Sequence, residues 1–147
     1  MKQATKDIHI GSKLPTEPFN VTRENITTFQ CLVHGKKTRE DFQEESIHLD
    51  PEFARSLGLP DVIAAGGISS AEISRLLTEY FGDGFLSGGH LFTKFIKPVY
   101  PNYCLNFDIE VTGRAEEGDA VRYEMDISCS NQDKVVILVG DASAWVR

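Results

Sequence analysis

The 147-residue sequence lacks any apolar run that approaches the ~20 residues a membrane-spanning helix requires. Its first ten residues, MKQATKDIHI, also lack the apolar stretch of a secretion signal. From these two absences we expect an intracellular, cytoplasmic protein that has no membrane partner.

Positive charge is also scarce. The chain has 15 Lys and Arg residues against 22 Asp and Glu residues, and its formal net charge is -7. A nucleic-acid-binding surface needs a basic patch, and the one basic cluster is the run Lys36-Lys37-Thr38-Arg39. We interpret this run as a solvated loop or, alternatively, as a phosphate contact for a carrier such as coenzyme A. We expect no nucleic-acid partner.

Cysteine is sparse and odd in number, which argues against a disulfide framework. Widely spaced single thiols suit a reducing compartment, and the histidines are not spaced like metal ligands. We therefore expect free thiols, no bound metal and no cofactor. The residues concerned are Cys31, Cys104, Cys129, His9, His34, His48 and His90.

Three segments carry the signals of helices. The first follows Thr22, a good N-cap residue, and Gly35 ends it in a left-handed conformation. The second is short, with Asp50 as its N-cap and Gly58 after its last turn. The polar stretch between these two helices, residues 36–45, is interpreted as a loop.

The third predicted helix covers residues 68–81 and has one strongly apolar face at the spacing i, i+3, i+4, i+7, i+8. Ser69 and Glu72 have the spacing of a capping box at its start. A helix with such a face has to be buried against another layer. The residues of that face are Ile73, Leu76, Leu77, Tyr80 and Phe81.

In the last third of the chain the apolar period changes from 3.6 to 2, which is typical of half-buried strands. We predict four long strands in meander order and a short N-terminal strand at a sheet edge. They lie near residues 91–96, 105–111, 121–127 and 135–146, with the short one at 8–14. A sheet that curls around the apolar helix buries both apolar surfaces. Residues 1–147 are therefore predicted to form one α+β domain with the hot-dog fold, in which an antiparallel sheet wraps a central helix and an N-terminal helix overhangs it.

Several blocks of the sequence recur together in one known family. They are Val21-Thr22, Ile47-His48-Leu49-Asp50-Pro51-Glu52-Phe53-Ala54, Ile63-Ala64-Ala65-Gly66, Leu76-Leu77 with Phe81-Gly82, Phe95 through Pro101, and Val111-Thr112-Gly113. In this order and spacing, over roughly residues 20–146, the chain resembles the MaoC-like family of enoyl-thioester hydratases and dehydratases. The resemblance implies the same hot-dog fold.

The resemblance also implies a catalytic set. In that family a Gly-Asp-x-Asn-Pro-aliphatic-His motif brackets a water with an aspartate and a histidine, because proton transfer needs an acid and a base. His48 takes the histidine position as general acid/base, Gln43 the aspartate position and Ser46 the proline position, where we expect a substrate contact. Either Asp41 or Glu45 supplies a carboxylate from a shifted position, or Gln43 positions the water.

The start of the third helix is expected to bind substrate. Its first N–H groups are unpaired and the helix dipole adds positive charge. Gly66 and Gly67, after Ala65, let a thioester carbonyl oxygen approach these donors, which stabilises enolate-like charge. Alternatively, the glycines only allow close helix–sheet packing. Cys31 is interpreted as a small core residue or as a lining residue of the substrate tunnel.

We therefore predict a lyase that adds or removes water across the α,β carbons of a coenzyme A or acyl-carrier thioester in a specialised biosynthetic pathway. The resemblance implies a homodimer or higher homo-oligomer, and an uncovered strand edge gives that pairing a physical reason. Two other classes stay open. One is a non-catalytic thioester-binding or assembly subunit, favoured by the missing aspartate. The other is a variant isomerase, or a thioesterase for which Glu72 is the candidate carboxylate.

Overall fold

The computed structural model describes residues 3–147, which form an antiparallel sheet and a set of helices packed on it. In chain order the elements are β1 (Phe19–Asn20), α1 (Arg23–Val33), α2 (Pro51–Ser56), α3 (Gly66–Phe81), α4 (Asp83–Leu86), β2 (His90–Phe95), β3 (Cys104–Glu117), β4 (Ala120–Ser130) and β5 (Val136–Val146). The predicted loop between α1 and α2 contains a 3₁₀ turn at Arg39–Asp41.

The strand order is β1-β3-β4-β5-β2, so the predicted meander is wrong for β2. This strand pairs with β5, where Phe92 lies opposite Asp141. The connection from β2 to β3 carries Pro98 and Pro101, which cannot donate to a sheet ladder. It passes the start of α3, where the carbonyl oxygen of Val99 accepts a hydrogen bond from the N–H of Ala64. The chain therefore changes sheet edge between β2 and β3.

Helix α3 and the inner face of the sheet together form the core. Alternate residues of β3 and β4 are buried and the residues between them are mostly accessible to solvent, which confirms the predicted period of 2. Burying one aliphatic side chain stabilises the fold by about 1.5–3 kcal/mol. The α+β architecture, a sheet curled around one apolar helix, is as predicted. Its most buried side chains include Ile73, Leu76, Leu77, Leu105, Ile109, Val111, Tyr123, Met125 and Leu138.

Helix α3 begins at Gly66, two residues before the predicted start, with Ala65 as its N-cap. The predicted capping box of Ser69 and Glu72 is therefore wrong. Ser69 lies in the fourth helical position and is buried, while Glu72 accepts a hydrogen bond from Arg75 Nε. The small residues allow the chain to turn into the helix without a side-chain cap, and this leaves the first N–H groups open.

The caps of α1 and the position of α2 agree with the sequence. Thr22 Oγ1 accepts from the N–H of Asn25 and Asn25 Oδ1 accepts from the N–H of Thr22, both at 3.0 Å. Gly35, with φ of 63°, follows the end of α1 as predicted. Asp50 occupies the N-cap position of α2, although its carboxylate does not bond to that helix.

The N-terminal segment adds to the β3 edge of the sheet, as predicted, but it forms an isolated bridge between Lys13 and Glu110 instead of the predicted strand at 8–14. Leu14 donates its N–H to Ile109 O at 2.9 Å, and Gly11 donates to Val111 O at 2.7 Å. Strand β1 continues along the same edge, with Phe19 opposite Leu105. Within residues 3–147, no helix combines the length and the apolar character that crossing a bilayer requires.

Candidate active site

The imidazole of His48 is fixed by one main-chain hydrogen bond. Its Nδ1 lies 2.7 Å from the carbonyl oxygen of Ile63. A carbonyl oxygen can only accept, so Nδ1 carries the proton and donates it. Neutral His48 therefore keeps its lone pair on Nε2. Ile63 also donates its own N–H to Ile47 O at 3.0 Å, so two hydrogen bonds join the segment that carries His48 to the segment before α3.

Hydrogen bonds to the Asp50 carboxylate hold the loop that carries His48. The carboxylate of Asp50 accepts the N–H of Ser46 at 2.8 Å through Oδ2, and its Oδ1 pairs with the guanidinium of Arg39. Ser46 Oγ in turn accepts the N–H of His48 at 3.1 Å. The Asp50 side chain thus closes the loop on itself, which explains why it does not cap α2.

The first turn of α3 presents free donors next to His48. The N–H of Ala64 is taken by Val99 O and that of Ile68 by Ala65 O. In the described part of the chain no acceptor binds the N–H of Gly66 or of Gly67. These N–H groups and the positive end of the helix dipole together attract negative charge.

One cavity of about 480 Å³ brings the helix start and the histidine together. His48 lines it from one side, and Ala65, Gly66 and Gly67 line it from another. Phe95 and the β2–β3 connection form the remaining wall. An imidazole that can take a proton therefore faces the same space as two unpaired backbone donors.

Two aromatic rings explain why the helix starts with glycines. A Cβ added at Gly66 would lie 2.6 Å from the ring of Phe95, and one at Gly67 would lie 2.6 Å from the ring of Phe29. The glycines are thus needed for close packing as well as for open donors. Phe95 is half-exposed, so its ring lies at the cavity wall and can move, whereas Phe29 is partly buried in α1.

A second cavity, of about 420 Å³, is also lined by His48. Gln43, Glu45 and Ser46 line it together with the histidine, so the structure brings these predicted residues to one place. The side chains of Gln43 and Glu45 are exposed, and Ser46 is partly buried. Lys36, from the basic run, also lines this cavity.

Asp41 and Cys31 lie elsewhere. Asp41 Oδ2 accepts the N–H groups of Thr38 and Lys37 at 2.9 and 3.0 Å, and these bonds lower the pKa of the carboxyl. Asp41 thus holds the 3₁₀ turn and lines neither cavity. Cys31 is a buried free thiol that also lines neither cavity, whereas its neighbour Gln30 lines the second.

Sequence reasoning missed three residues that shape the site. Gln30 falls on the apolar stripe of α1, four residues after Ile26, and an amide at such a position was a usable signal. Ile63 acts through its main chain, which no side-chain motif reveals. Phe95 lies within a motif block, but its contact with Gly66 depends on how β2 pairs. Among the described residues, no group of three or more His, Cys, Asp or Glu side chains could hold a metal ion.

A family model described as "MaoC like domain" matches residues 9–131 of the chain. The sequence is also 31% identical, over 97 residues, to the fatty acid synthase subunit beta of Saccharomyces cerevisiae. That match covers 65% of the chain and 4% of the yeast protein. The chain thus spans about 4% of the length of this curated relative.

Two solved structures show the same fold. The R-hydratase PhaJ1 of Pseudomonas aeruginosa superposes with a TM-score of 0.72 at 20% identity, over 96% of this chain and 88% of that one. The HadBC complex of Mycobacterium tuberculosis, a 3R-hydroxyacyl-ACP dehydratase, superposes with a TM-score of 0.70 at 16% identity, over 97% and 100% of the chains. These likenesses confirm the predicted hot-dog fold.

Proposed function

Because the chain belongs to the MaoC-like domain family, we propose that it is a hydratase/dehydratase that acts on the α,β carbons of an acyl thioester. The observation that carries this proposal is the shared cavity of His48, Gly66 and Gly67. Hydration of an enoyl thioester needs a base for proton transfer and hydrogen-bond donors for the carbonyl oxygen that becomes negative. We take residues 1–147 to form one such domain.

In the hydration direction, the N–H groups of Gly66 and Gly67 bind the thioester carbonyl oxygen. His48 Nε2 takes a proton from a water as that water attacks C3, and the electron pair of the double bond moves onto the carbonyl oxygen as an enolate. The imidazolium of His48 then returns this proton to C2, either directly or through the carboxylate of Glu45, which accepts it from His48 and passes it on. Dehydration follows the same steps in reverse.

The second cavity supplies the carboxylate partner of His48 in this mechanism. Glu45 and Gln43 share the second cavity with the histidine, whereas Asp41 is held by the 3₁₀ turn. We propose that Gln43 orients the water and that Glu45 is the available second acid. Because Gln43 stands where the family motif has an aspartate, we propose a specialised substrate. Coenzyme A or an acyl carrier holds this substrate, in the cytoplasm.

The oligomer we propose is a homodimer that pairs at β2. In the described sheet this edge strand has a partner on one side only, β5. Its residues Phe92 and Phe95 are 53% and 50% exposed, and an apolar, unpaired edge strand favours association. Sedimentation of the purified protein tests this, because a monomer at micromolar concentration would contradict the pairing.

The activity is tested by incubating the purified protein with crotonyl-CoA. Loss of the absorbance of the conjugated enoyl group without release of free thiol is the expected result. Release of thiol would instead indicate a thioesterase, although Glu72 is bound by Arg75 and lines neither cavity beside His48. A shifted double bond in the product would indicate an isomerase.

A second candidate function is a thioester-binding or assembly subunit. Gln43 favours it, because an amide cannot take up the proton that the motif aspartate handles. In that case the protein binds crotonyl-CoA, shows no turnover alone, and becomes active only with a partner chain of the same fold. Turnover by the isolated protein would exclude this candidate.

A further inference from the structure

Gln30 carries its side-chain amide to the same cavity as His48. Its side chain is 5% exposed, and it follows the core residue Ile26 by one turn of α1. Within residues 3–147 this amide forms no side-chain hydrogen bond, although Gln30 lines the cavity of about 420 Å³ that His48 also lines. No fully buried side-chain nitrogen or oxygen in this part of the chain lacks a partner, so the amide atoms of Gln30 are accessible to a water or a ligand.

The groups around Gln30 favour a neutral polar ligand over an anionic one. Ser46 Oγ is already engaged by the N–H of His48, and His48 Nδ1 by Ile63 O. The other polar residues that line the cavity are His34, Lys36, Gln43, Glu44 and Glu45. Two carboxylates against one ammonium group make the cavity disfavour an anionic group of a ligand.

We infer that Gln30 binds the oxygen on C3 of the acyl chain, which is the hydroxyl of a 3-hydroxyacyl thioester. The same oxygen is the attacking water in the hydration direction. A side-chain amide suits a hydroxyl because it both accepts and donates. Gln30 takes no proton, and His48 remains the group that does. This inference rests on the proposed function, and it defines the substrate as a thioester with a neutral oxygen at C3.

The test measures binding of two probes, 3-hydroxybutyryl-CoA and butyryl-CoA, which differ in that hydroxyl alone. Calorimetry is done in a His48→Ala background, so that the hydroxy ligand is not consumed. The change under test is Gln30→Met, which keeps the length of the side chain and removes the amide. Gln3→Met, at an exposed position, is the matched control.

With Gln30 present we expect the hydroxy ligand to bind about tenfold more tightly than butyryl-CoA. Gln30→Met should abolish that preference, leave the affinity for butyryl-CoA unchanged, and not lower the melting temperature of the free protein. If Gln30→Met leaves the preference for the hydroxy ligand unchanged, with or without a lower melting temperature, the amide is structural. That result would overturn this inference and leave the proposed function standing. If neither thioester binds to any variant, the proposed function fails as well.

Discussion

The Nδ1 of His48 and the carbonyl oxygen of Ile63 lie 2.7 Å apart, and this bond ties the imidazole to the segment that leads into α3. Ile63 is separated from Gly66 by two residues, and Ala64 is itself bound to Val99 O. The base and the helix N–H groups are therefore parts of one short, hydrogen-bonded stretch of chain. Both groups are therefore held in position before the substrate binds.

The contact between Gly66 and Phe95 predicts a variant that impairs the site and spares the fold. In Gly66→Ala the new Cβ would meet the ring tip at 2.6 Å, and the half-exposed ring can move away. We expect kcat/KM for crotonyl-CoA to fall about tenfold or more, because the methyl and the displaced ring obstruct the donors. Thermal unfolding should change little, and Gly66→Ala/Phe95→Leu should recover part of the activity.

Gly84→Ala is the control for that substitution. There a Cβ would lie 1.8 Å from the main-chain oxygen of Trp145, which cannot swing aside. We expect a loss of about 1–3 kcal/mol in unfolding free energy, with activity per folded molecule retained. Full kcat/KM in Gly66→Ala would contradict the assignment of this helix start as the oxygen-binding site.

The Asp50 carboxylate is predicted to hold the His48 loop in place. In Asp50→Ala the N–H of Ser46 and the guanidinium of Arg39 lose their acceptor. We expect kcat to fall about tenfold as the loop loosens, and the unfolding free energy to fall by about 1–2 kcal/mol. Urea denaturation and steady-state kinetics measure the two effects.

Asp108→Ala provides the comparison, because it removes an exposed ion pair with Lys13 outside the site. Its stability change should stay within about 0–1 kcal/mol and its kcat should match that of the wild type. If Asp50→Ala keeps a wild-type kcat, the loop does not depend on this carboxylate.

The sequence predicted the core better than the site. The periodicities of α3, β3 and β4 were readable because burial of one face dictates them, and the caps at Thr22 and Gly35 depend on local bonds alone. The pairing of β2 with β5 was missed because long-range pairing leaves no trace within a strand. For the same reason the contact of Gly66 with Phe95 was not foreseen.

The candidate site was only partly readable. His48 and the helix start were predicted from the motif and from the free N–H groups of a helix start, and the structure places them on one cavity. Asp41 looked like a free carboxylate, but its bonds to Lys37 and Thr38 form only when the turn folds. Gln30 was overlooked because amphipathic patterns direct attention to the apolar residues of a helix.

The buried thiol of Cys129 predicts how stability depends on alkaline pH. Burial raises the pKa of this thiol from 9.0 to about 12, so the folded protein favours the neutral form. The contribution of this thiol to the free energy of unfolding is fully present below pH 9 and is lost as the pH rises towards 12. Over that range the free energy of unfolding falls by up to about 1.4 kcal/mol per pH unit. Urea unfolding between pH 8 and 11 should show a shallower decline in Cys129→Ala than in the wild type. Equal slopes would refute the burial effect.

A row of like charges crosses the outer face of the sheet. Asp126 on β4 lies opposite Glu110 on β3 and opposite Asp141 on β5. Like charges directly opposite each other are destabilising, so Asp126→Asn should raise the unfolding free energy by about 0.2–1 kcal/mol. The gain should shrink in 1 M salt, where charges are screened. Asp133→Asn, in the exposed turn before β5, should give no such gain, and a salt-independent effect in Asp126→Asn would speak against charge repulsion.

The most direct test of the account compares the turnover of crotonyl-CoA by His48→Ala and by His90→Ala, with the stability of both variants checked by thermal unfolding. His90 is an exposed histidine on β2 beside Asp141, outside both cavities that His48 lines. We predict a loss of at least about 100-fold in kcat for His48→Ala and a change within about twofold for His90→Ala. A folded His48→Ala variant with wild-type turnover would contradict the assignment of His48 as the proton-transferring group.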